Sequence, residues 1–322
     1  MIAVCICTCG RNAELRACLE AVAAALHAHP PGGGALVVVA DNAPGGGAED
    51  VVAELAARFP CPLVAVREPQ PGISFARNTV LREALARGAD AVACLDDDDV
   101  PQPDWLHHLE AAWRASGAEL VFGGWNWCAD VRLAPWQEDL KIFRTPAFEG
   151  TNRWGLPSGA GTFNVLVARP LIERLAARGP VFAPEFALSG GEDVDFMIRA
   201  VGAGATHAVA PRSVVLRSWD AERLTFAGVM RRAFRVGNLR ALHDRNHDDP
   251  RRWRKKRRRI ARALLAEVAS LPWRLGSRKR LAAWAFEVTR LAGEVYGRWF
   301  GGRFQYYAAP RRRAVAGGAL TR

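Results

Sequence analysis

The sequence predicts an α/β chain: a mainly parallel sheet with helices on both faces, followed by a basic helical extension. Three observations predict it. Through residues 1–125, short apolar runs alternate with helical patterns at a spacing of roughly 30 residues, as strand–helix–strand crossovers require. Polar segments follow three of those runs, at the strand ends where open sheets of this kind bind ligands. The charge then divides the chain, because residues 251–322 hold 20 Lys/Arg against 3 Asp/Glu while the preceding 250 residues hold 24 against 30.

Taken in order, "IAVCIC" (2–7) reads as a buried strand, and Asn12 then caps a helix with Leu15, Leu19, Val22 and Leu26 on one face. "ALVVVA" (35–40), "LVAV" (63–66) and "AVACL" (91–95) follow as strands, with helical stretches near 48–58 and 74–87 between them. "TCGRN", "DNAP" and "DDDD" sit at carboxyl ends of these strands. Residues 120–185, rich in Trp, Gly and Pro, are expected to form short strands and long loops, with the Trp-rich part (125–154) shaping a pocket. "GGEDVDFMIRAVGAG" (190–204) turns helical after its glycines and acids, and "ATHAVAPRSVVLRSW" (205–219) supplies one or two strands. From 222 the pattern is helical. The polar break "HDRNHDDP" (243–250) is the expected boundary between a domain over 1–242, an amphipathic extension over 251–305 and a disordered tail over 306–322.

Composition excludes several classes. The seven cysteines include no CxxC pair, so buried thiols in a reduced cytosol are expected rather than zinc or disulfides. "MIAVCICTCG" has neither a basic lead nor a cleavage-type sequence and does not read as a signal peptide. No run of about 18 uncharged apolar residues is present to span a bilayer. No GxGxxG follows the first strand, which argues against a NAD-dependent enzyme.

The segment "AVACLDDDDVPQPDWL" (91–106) places four adjacent carboxylates after a strand, and their repulsion demands positive charge among them. A solvated acidic loop with a helix cap is one reading. The position supports another, a hard divalent cation that takes oxygen ligands and keeps places open for phosphate oxygens. Asp96 and Asp98, one residue apart, point to the same side; Mg²⁺ or Mn²⁺ there would bridge a diphosphate and take up charge as a nucleoside diphosphate leaves.

With these residues the chain resembles the family 2 glycosyltransferases of GT-A fold, inverting enzymes that use nucleotide-activated sugars. The resemblance runs from residue 2 to about 240 and rests on motifs in one order: "VCICTCGRN", "VVVADNAP", "PGISFARN", "LDDDDVPQPDWL", "SGGEDVDFMIRA" and "AERLTFAGVMRRAFRVGN". It implies a Rossmann-like nucleotide-binding part over 1–125 and an acceptor part over 126–242. It further implies a hexosyl or related transferase that moves a sugar from a nucleotide diphosphate, UDP foremost, to a hydroxyl of a sugar, lipid-linked or small-molecule acceptor, in polysaccharide or glycolipid assembly. Thr8, Arg11, Asp41, Gly72, Arg77, Asn78, Asp96 and Asp97 are the implied donor contacts. Asp98 with Asp96 is the implied metal site (the DxD segment), and Asp193 with Glu192 the implied catalytic pair.

The residues themselves leave rival readings open. Thr8 and Arg11 hold uridine and phosphates or cap the helix. Asp41 accepts from a pyrimidine imide N–H or forms a turn. Arg77 pairs with the aspartates, with phosphate, or lies on a helix surface. Inversion by direct displacement needs one carboxylate to take the acceptor's proton; Asp193 suits that role, with Glu192 holding the acceptor or orienting Asp193. Two acids favoured by a helix dipole are the alternative. One departure stands out: many members carry a His after the strand matching "SVVLRSW", where Arg217 and Ser218 stand here. That leaves one or two protein ligands for a metal, or lets Arg217 neutralise the diphosphate.

The tail reads as two helices, one with Ile260, Leu264, Val268 and Leu271 on a face behind a dense cationic start, the next with Leu281, Trp284, Val288, Leu291, Val295 and Trp299. Basic amphipathic helices carrying Trp lie on anionic membranes. A cytoplasmic protein, peripheral on the inner face of the cell membrane, is therefore expected, with helices packed on the domain as the alternative. Nucleic acid is not an expected partner, since no nucleic-acid motif accompanies the charge. Two rivals to the transferase remain. A sugar-nucleotide pyrophosphorylase would show a Gly-rich, Arg-containing loop where "TCGRNAEL" stands, and a membrane or nucleic-acid adaptor would use the tail alone.

Overall fold

The computed structural model describes residues 1–129, 131–145, 148, 150–219 and 221–307. Strands β1 (Ile2–Thr8), β2 (Ala35–Asp41), β3 (Leu63–Arg67) and β4 (Ala91–Asp96) are parallel, lie in the order β3-β2-β1-β4, and alternate with helices α1 (Asn12–Ala28), α2 (Ala48–Ala56) and α3 (Ile73–Ala86). Their unbroken apolar runs suit strands covered on both faces. Val4, Ile6, Val37 and Val39 meet Leu15, Leu19 and Val22 of α1, while Ala3, Cys5, Val38 and Ala40 meet Ala76 and Val80 of α3. Asn12 does not cap α1: Arg11 holds the N-cap position without a side-chain bond, and Asn12 donates to the Gly47 carbonyl at 3.2 Å.

Beyond β4 the sheet is mixed. β7 (Asn164–Ala168) runs antiparallel to both β4 and β6 (Leu120–Trp127), β8 (His207–Arg217) runs parallel to β6, and the short β5 (Asp99–Pro101) pairs antiparallel with β8 at the edge. The β6–β8 register shifts between Gly123 and Gly124, a bulge of the kind that bends a sheet. Buried Asn164 pins it: its amide donates to the Gly124 and Ser213 carbonyls at 2.8 and 3.0 Å, and its oxygen accepts from Trp105 Nε1 at 2.7 Å. Trp105 opens α4 (Trp105–Ser116); α5 (Arg169–Ala176) and α6 (Glu192–Gly202) follow. Trp127, Phe143 and Trp219 form a small core with Leu140 and Val229, so much of the Trp-rich segment packs inward instead of lining a pocket.

The C-terminal part contains α7 (Ala221–Leu224), α8 (Phe226–His247), α9 (Pro250–Ser270) and α10 (Arg278–Trp299). The expected break is mostly helix. Residues 243–247 finish α8, and the chain turns only at Asp248–Asp249, where Asp249 caps α9 through the Arg251 amide and Pro250 takes the first helical position. Nor is α10 an independent extension. It crosses α8 where Gly237 and Gly293 each lie against the other helix's backbone, and any Cβ would overlap the carbonyls of Arg290 and Phe234. Arg298 of α10 is fully buried and pairs with Asp244 of α8 and with Glu294. Of the expected stripe Leu291 is buried, whereas Leu281 and Trp299 reach solvent.

Past α10 the chain crosses back over α8. The Phe304 amide donates to Asn238 Oδ1 at 2.9 Å, and the Tyr306 and Tyr307 amides both donate to the Leu188 carbonyl at 2.9 Å. Two residues of the expected disordered tail are thus held in place, and 308–322 lie outside the described residues. Among the described residues no helix is long and apolar enough to cross a membrane. All seven cysteines are free, and burial pushes the Cys5, Cys18 and Cys94 thiols up.

Candidate active site

β4 ends at Asp96, and a turn through Asp97 and Asp98 returns the chain into β5 at Asp99. The positive charge that this run demands is arginine, brought from four separate elements. Arg11, after β1, pairs with Asp97 and, at 2.6 Å, with Asp98. Arg77 of α3 reaches Asp96 at 3.4 Å, and Arg223 of α7 reaches Asp98 at 3.2 Å. Arg217, the last residue of β8, spans Asp96 at 3.3 Å and Asp99 at 3.1 Å.

Burial sorts the four carboxylates. Asp97 and Asp99 turn inward, with side chains 0% and 1% exposed, whereas Asp96 and Asp98 keep 29% and 16%. Burial pushes Asp97 up to about 7 against the pull of Arg11, and raises Asp99 well above the carboxylate range against that of Arg217. Burial would raise Asp98 as well, but Arg11, Arg223 and Arg217 together hold it below its ordinary value.

A second acid group stands across Arg77. Gly190 and Gly191, both left-handed at φ +73° and +90°, turn the chain into α6, whose first residues are Glu192 and Asp193. A Cβ at Gly190 would also meet the Arg235 guanidinium, which would have to shift. Glu192 is buried and pairs with Arg77 Nε at 3.3 Å. Burial pushes its carboxyl up to about 7, opposed by Arg77. Asp193 is less buried; its Oδ1 accepts from the Val194 amide at 2.8 Å. Arg77 also donates to Thr162 Oγ1 and lies against Phe182.

The expected residues divide. Arg11, Arg77, Asp96, Asp97, Asp98, Glu192 and Asp193 converge, and Thr8 is buried beside Asp97. Arg77 is therefore no surface helix residue, and Arg11 faces aspartates rather than open solution. Asp41 takes its turn-forming alternative: its two oxygens accept from the Ala43 and Ala48 amides at 2.9 and 3.1 Å. Gly72, at φ +129°, donates its amide to Asn42 and lies against Ala187. Asn78 does not join the group, because its amide bonds both ways with the Phe182 backbone, at 2.8 and 2.9 Å. Arg217 neutralises Asp96 and Asp99 rather than standing ready for a diphosphate. Asp99, Arg223, Arg232 and Arg235 were missed by sequence reasoning; the one signal for the last two was their three-residue spacing in "RRAFR".

A divalent cation fits the donor set in part. Asp96 and Asp98 offer hard oxygens, remain partly exposed, and both ion pairs of Asp98 fall on Oδ2. Among the described residues no group of three or more His, Cys, Asp or Glu is arranged to hold a metal. A cation here would therefore draw on these two carboxylates and on oxygens from outside the protein. Mg²⁺ or Mn²⁺ is compatible with such a site.

Known proteins share this architecture. The model of Glycosyl transferase family 2 matches residues 3–173. Succinoglycan biosynthesis protein ExoM of Rhizobium meliloti (strain 1021) is 30% identical over 221 residues, spanning 67% of this chain and 68% of that protein. The mannosyltransferase PcManGT from Pyrobaculum calidifontis, solved with GDP-Man and Mn²⁺, has a TM-score of 0.60 at 19% identity, covering 93% of this chain and 87% of that one. TarS 1-349 of S. aureus, solved with UDP-GlcNAc, has a TM-score of 0.50 at 13% identity, covering 95% and 93%. The structural likenesses bear on the fold alone: a mixed, curled GT-A sheet with helices on both sides and a helical C-terminal region. On the family match and the ExoM likeness, the chain belongs to glycosyltransferase family 2.

Proposed function

We propose that this glycosyltransferase inverts the anomeric centre while moving a sugar from a UDP-sugar to an acceptor hydroxyl in polysaccharide or glycolipid assembly. One observation carries the reading. Arg77 bridges Asp96 of the aspartate run, at 3.4 Å, and Glu192 of the acid pair, at 3.3 Å, so the donor-side and acceptor-side carboxylates lie one guanidinium apart. Direct displacement needs that proximity, because base, acceptor oxygen, anomeric carbon and leaving diphosphate must lie in one short line. Asp193 takes the acceptor's hydroxyl proton, the oxygen bonds to the anomeric carbon, and the bond to the diphosphate breaks. Glu192, whose carboxyl burial pushes up to about 7, orients the acceptor. Thr8 and Asp41 mark the base end of the donor, where Asp41 shapes the loop. A divalent cation bound at Asp96 and Asp98 would supply charge neutralisation for the departing diphosphate.

UDP is favoured by the UDP-GlcNAc complex of TarS, and a polysaccharide setting by the name of ExoM. The outer side of α9 and the turn after it supports docking on an anionic membrane. Leu265, Val268, Trp273 and Leu275 are 57–74% exposed there, close in sequence to the exposed Arg258, Arg259 and Arg262. Ile260, expected on that face, turns inward. The donor reading is tested by following hydrolysis of a panel of UDP-, GDP- and dTDP-sugars with Mn²⁺. UDP-sugars should be consumed fastest; fastest consumption of another nucleotide sugar would replace UDP, and consumption of none would overturn the transferase reading.

A further inference from the structure

The arginines around the site are not all matched. Arg11, Arg77, Arg217 and Arg223 each pair with an aspartate of the run. Arg232 and Arg235, one turn apart on α8, pair with no carboxylate among the described residues. Arg235 donates Nε to the Ser189 carbonyl at 3.1 Å and stacks at 4.3 Å on Tyr306, which the returning C-terminal segment holds in place. Arg232 stacks at 4.3 Å on Trp219, and its Nε is buried with no hydrogen-bond partner. Both guanidiniums thus lie against aromatic rings, and the Arg232 Nε is left without a hydrogen-bond partner in a setting where an unpaired charge is strongly unfavourable.

We propose that Arg232 and Arg235 form a phosphate subsite beside the aspartate run that binds its anion without a metal ion. A guanidinium presents its N–H groups in a fork that matches two phosphate oxygens, which the point charge of an ammonium does not. The rings of Trp219 and Tyr306 keep both forks fixed, so little side-chain freedom is lost on binding. Burial first, and then Arg235, Arg217 and Arg223, pull the Arg232 guanidinium down to about 10, a displacement that a bound anion would reverse. The chemistry is that of a phosphate ester or diphosphate. Its source is either the donor's diphosphate or a phosphate carried by the acceptor, and this choice alone rests on the transferase reading.

The test uses the full chain in EDTA with inorganic pyrophosphate as probe. Calorimetry should detect binding to the wild type, weakened about 10-fold or more by Arg232→Gln and by Arg235→Gln. Thermal unfolding in phosphate-free buffer separates binding from folding: Arg232→Gln should unfold at the wild-type temperature or above it, because it removes a buried charge that pairs with no carboxylate among the described residues. UDP under the same conditions identifies the source. Parallel loss of UDP and pyrophosphate assigns the subsite to the donor, and loss of pyrophosphate alone assigns it to a phosphorylated acceptor. The subsite is overturned if the wild type ignores pyrophosphate in EDTA, if the variants bind it equally well, or if Arg232→Gln unfolds many degrees lower. Pyrophosphate binding by a protein that consumes no nucleotide sugar would instead remove the transferase reading and leave the subsite standing.

Discussion

Replacing Asp244 by Ala asks whether the C-terminal helices belong to the catalytic unit. Asp244 on α8 is fully buried and accepts from Arg298 of α10, from Arg153, and at 3.0 Å from Lys256 of α9. Without it Lys256 and Arg153 still have Asp248, and both are partly exposed. Arg298 is 0% exposed and would keep, among the described residues, only Glu294, at 3.1 Å. Breaking a buried pair costs about 3–5 kcal/mol, and the surviving Glu294 contact places the expected loss near the lower figure. At about 2–4 °C per kcal/mol, Tm should fall by about 6–12 °C. Circular dichroism melts of Asp244→Ala, Arg298→Met and the Asp244→Ala/Arg298→Met double variant measure this, and the double variant should lose less than the sum of singles. The penalty also has a pH sign. Burial opposes it, but hydrogen bonds from Arg153 and Lys256 hold the Asp244 carboxyl below its ordinary range, so its stabilisation is present above that range and lost as pH falls from there through the lowered value. A Tm loss below about 2 °C, or additive variants, would refute the reasoning and leave α9 and α10 merely resting on the domain.

Three further outcomes are expected. Burial raises Glu192 from 4.5 to about 7, so the stability tied to its proton is complete at acid pH and lost as pH rises through about 7. Wild-type Tm should therefore decline more between about pH 5 and 8 than that of Glu192→Gln, a difference of up to about 3 kcal/mol; parallel curves would contradict the burial argument. Asp98→Asn should cut transfer by ~10² or more and weaken Mn²⁺-dependent UDP binding. Near-normal activity of that variant, or of wild type in EDTA, would remove the metal role. Anionic liposomes at low salt should sediment the full chain but not a Leu265→Ser/Val268→Ser/Trp273→Ser variant, each basic residue adding up to ~1 kcal/mol of attraction; a wild type that stays in the supernatant would end the membrane reading.

The parallel half of the sheet was legible because a strand covered on both faces must be apolar throughout, and β1, β2 and β4 are. β7 is as continuously apolar, yet runs antiparallel; composition records burial, whereas direction depends on which neighbour pairs with it. The aspartate run and the Gly-Gly-Glu-Asp turn were legible from chemistry written contiguously in the chain. Their partners were not, since Arg11, Arg77, Arg217 and Arg223 come from four elements and meet only after folding. Asn78 lay in a matching motif but faces Phe182, because its position on the helix surface sets where it points. An amphipathic stripe reads alike whether lipid or another helix covers it. Gly237 and Gly293 were the available hint that α8 and α10 cross closely.

The most direct test of the central claim compares Asp193→Asn with wild type in two measurements on the same preparations: UDP affinity with Mn²⁺, and the rate of sugar transfer from the best donor. A carboxylate that takes the acceptor's proton, and does not hold the nucleotide, should leave the affinity near the wild-type value while the rate constant falls by ~10²–10⁴. Loss of UDP affinity with the rate constant preserved would contradict the claim and move Asp193 out of the chemistry.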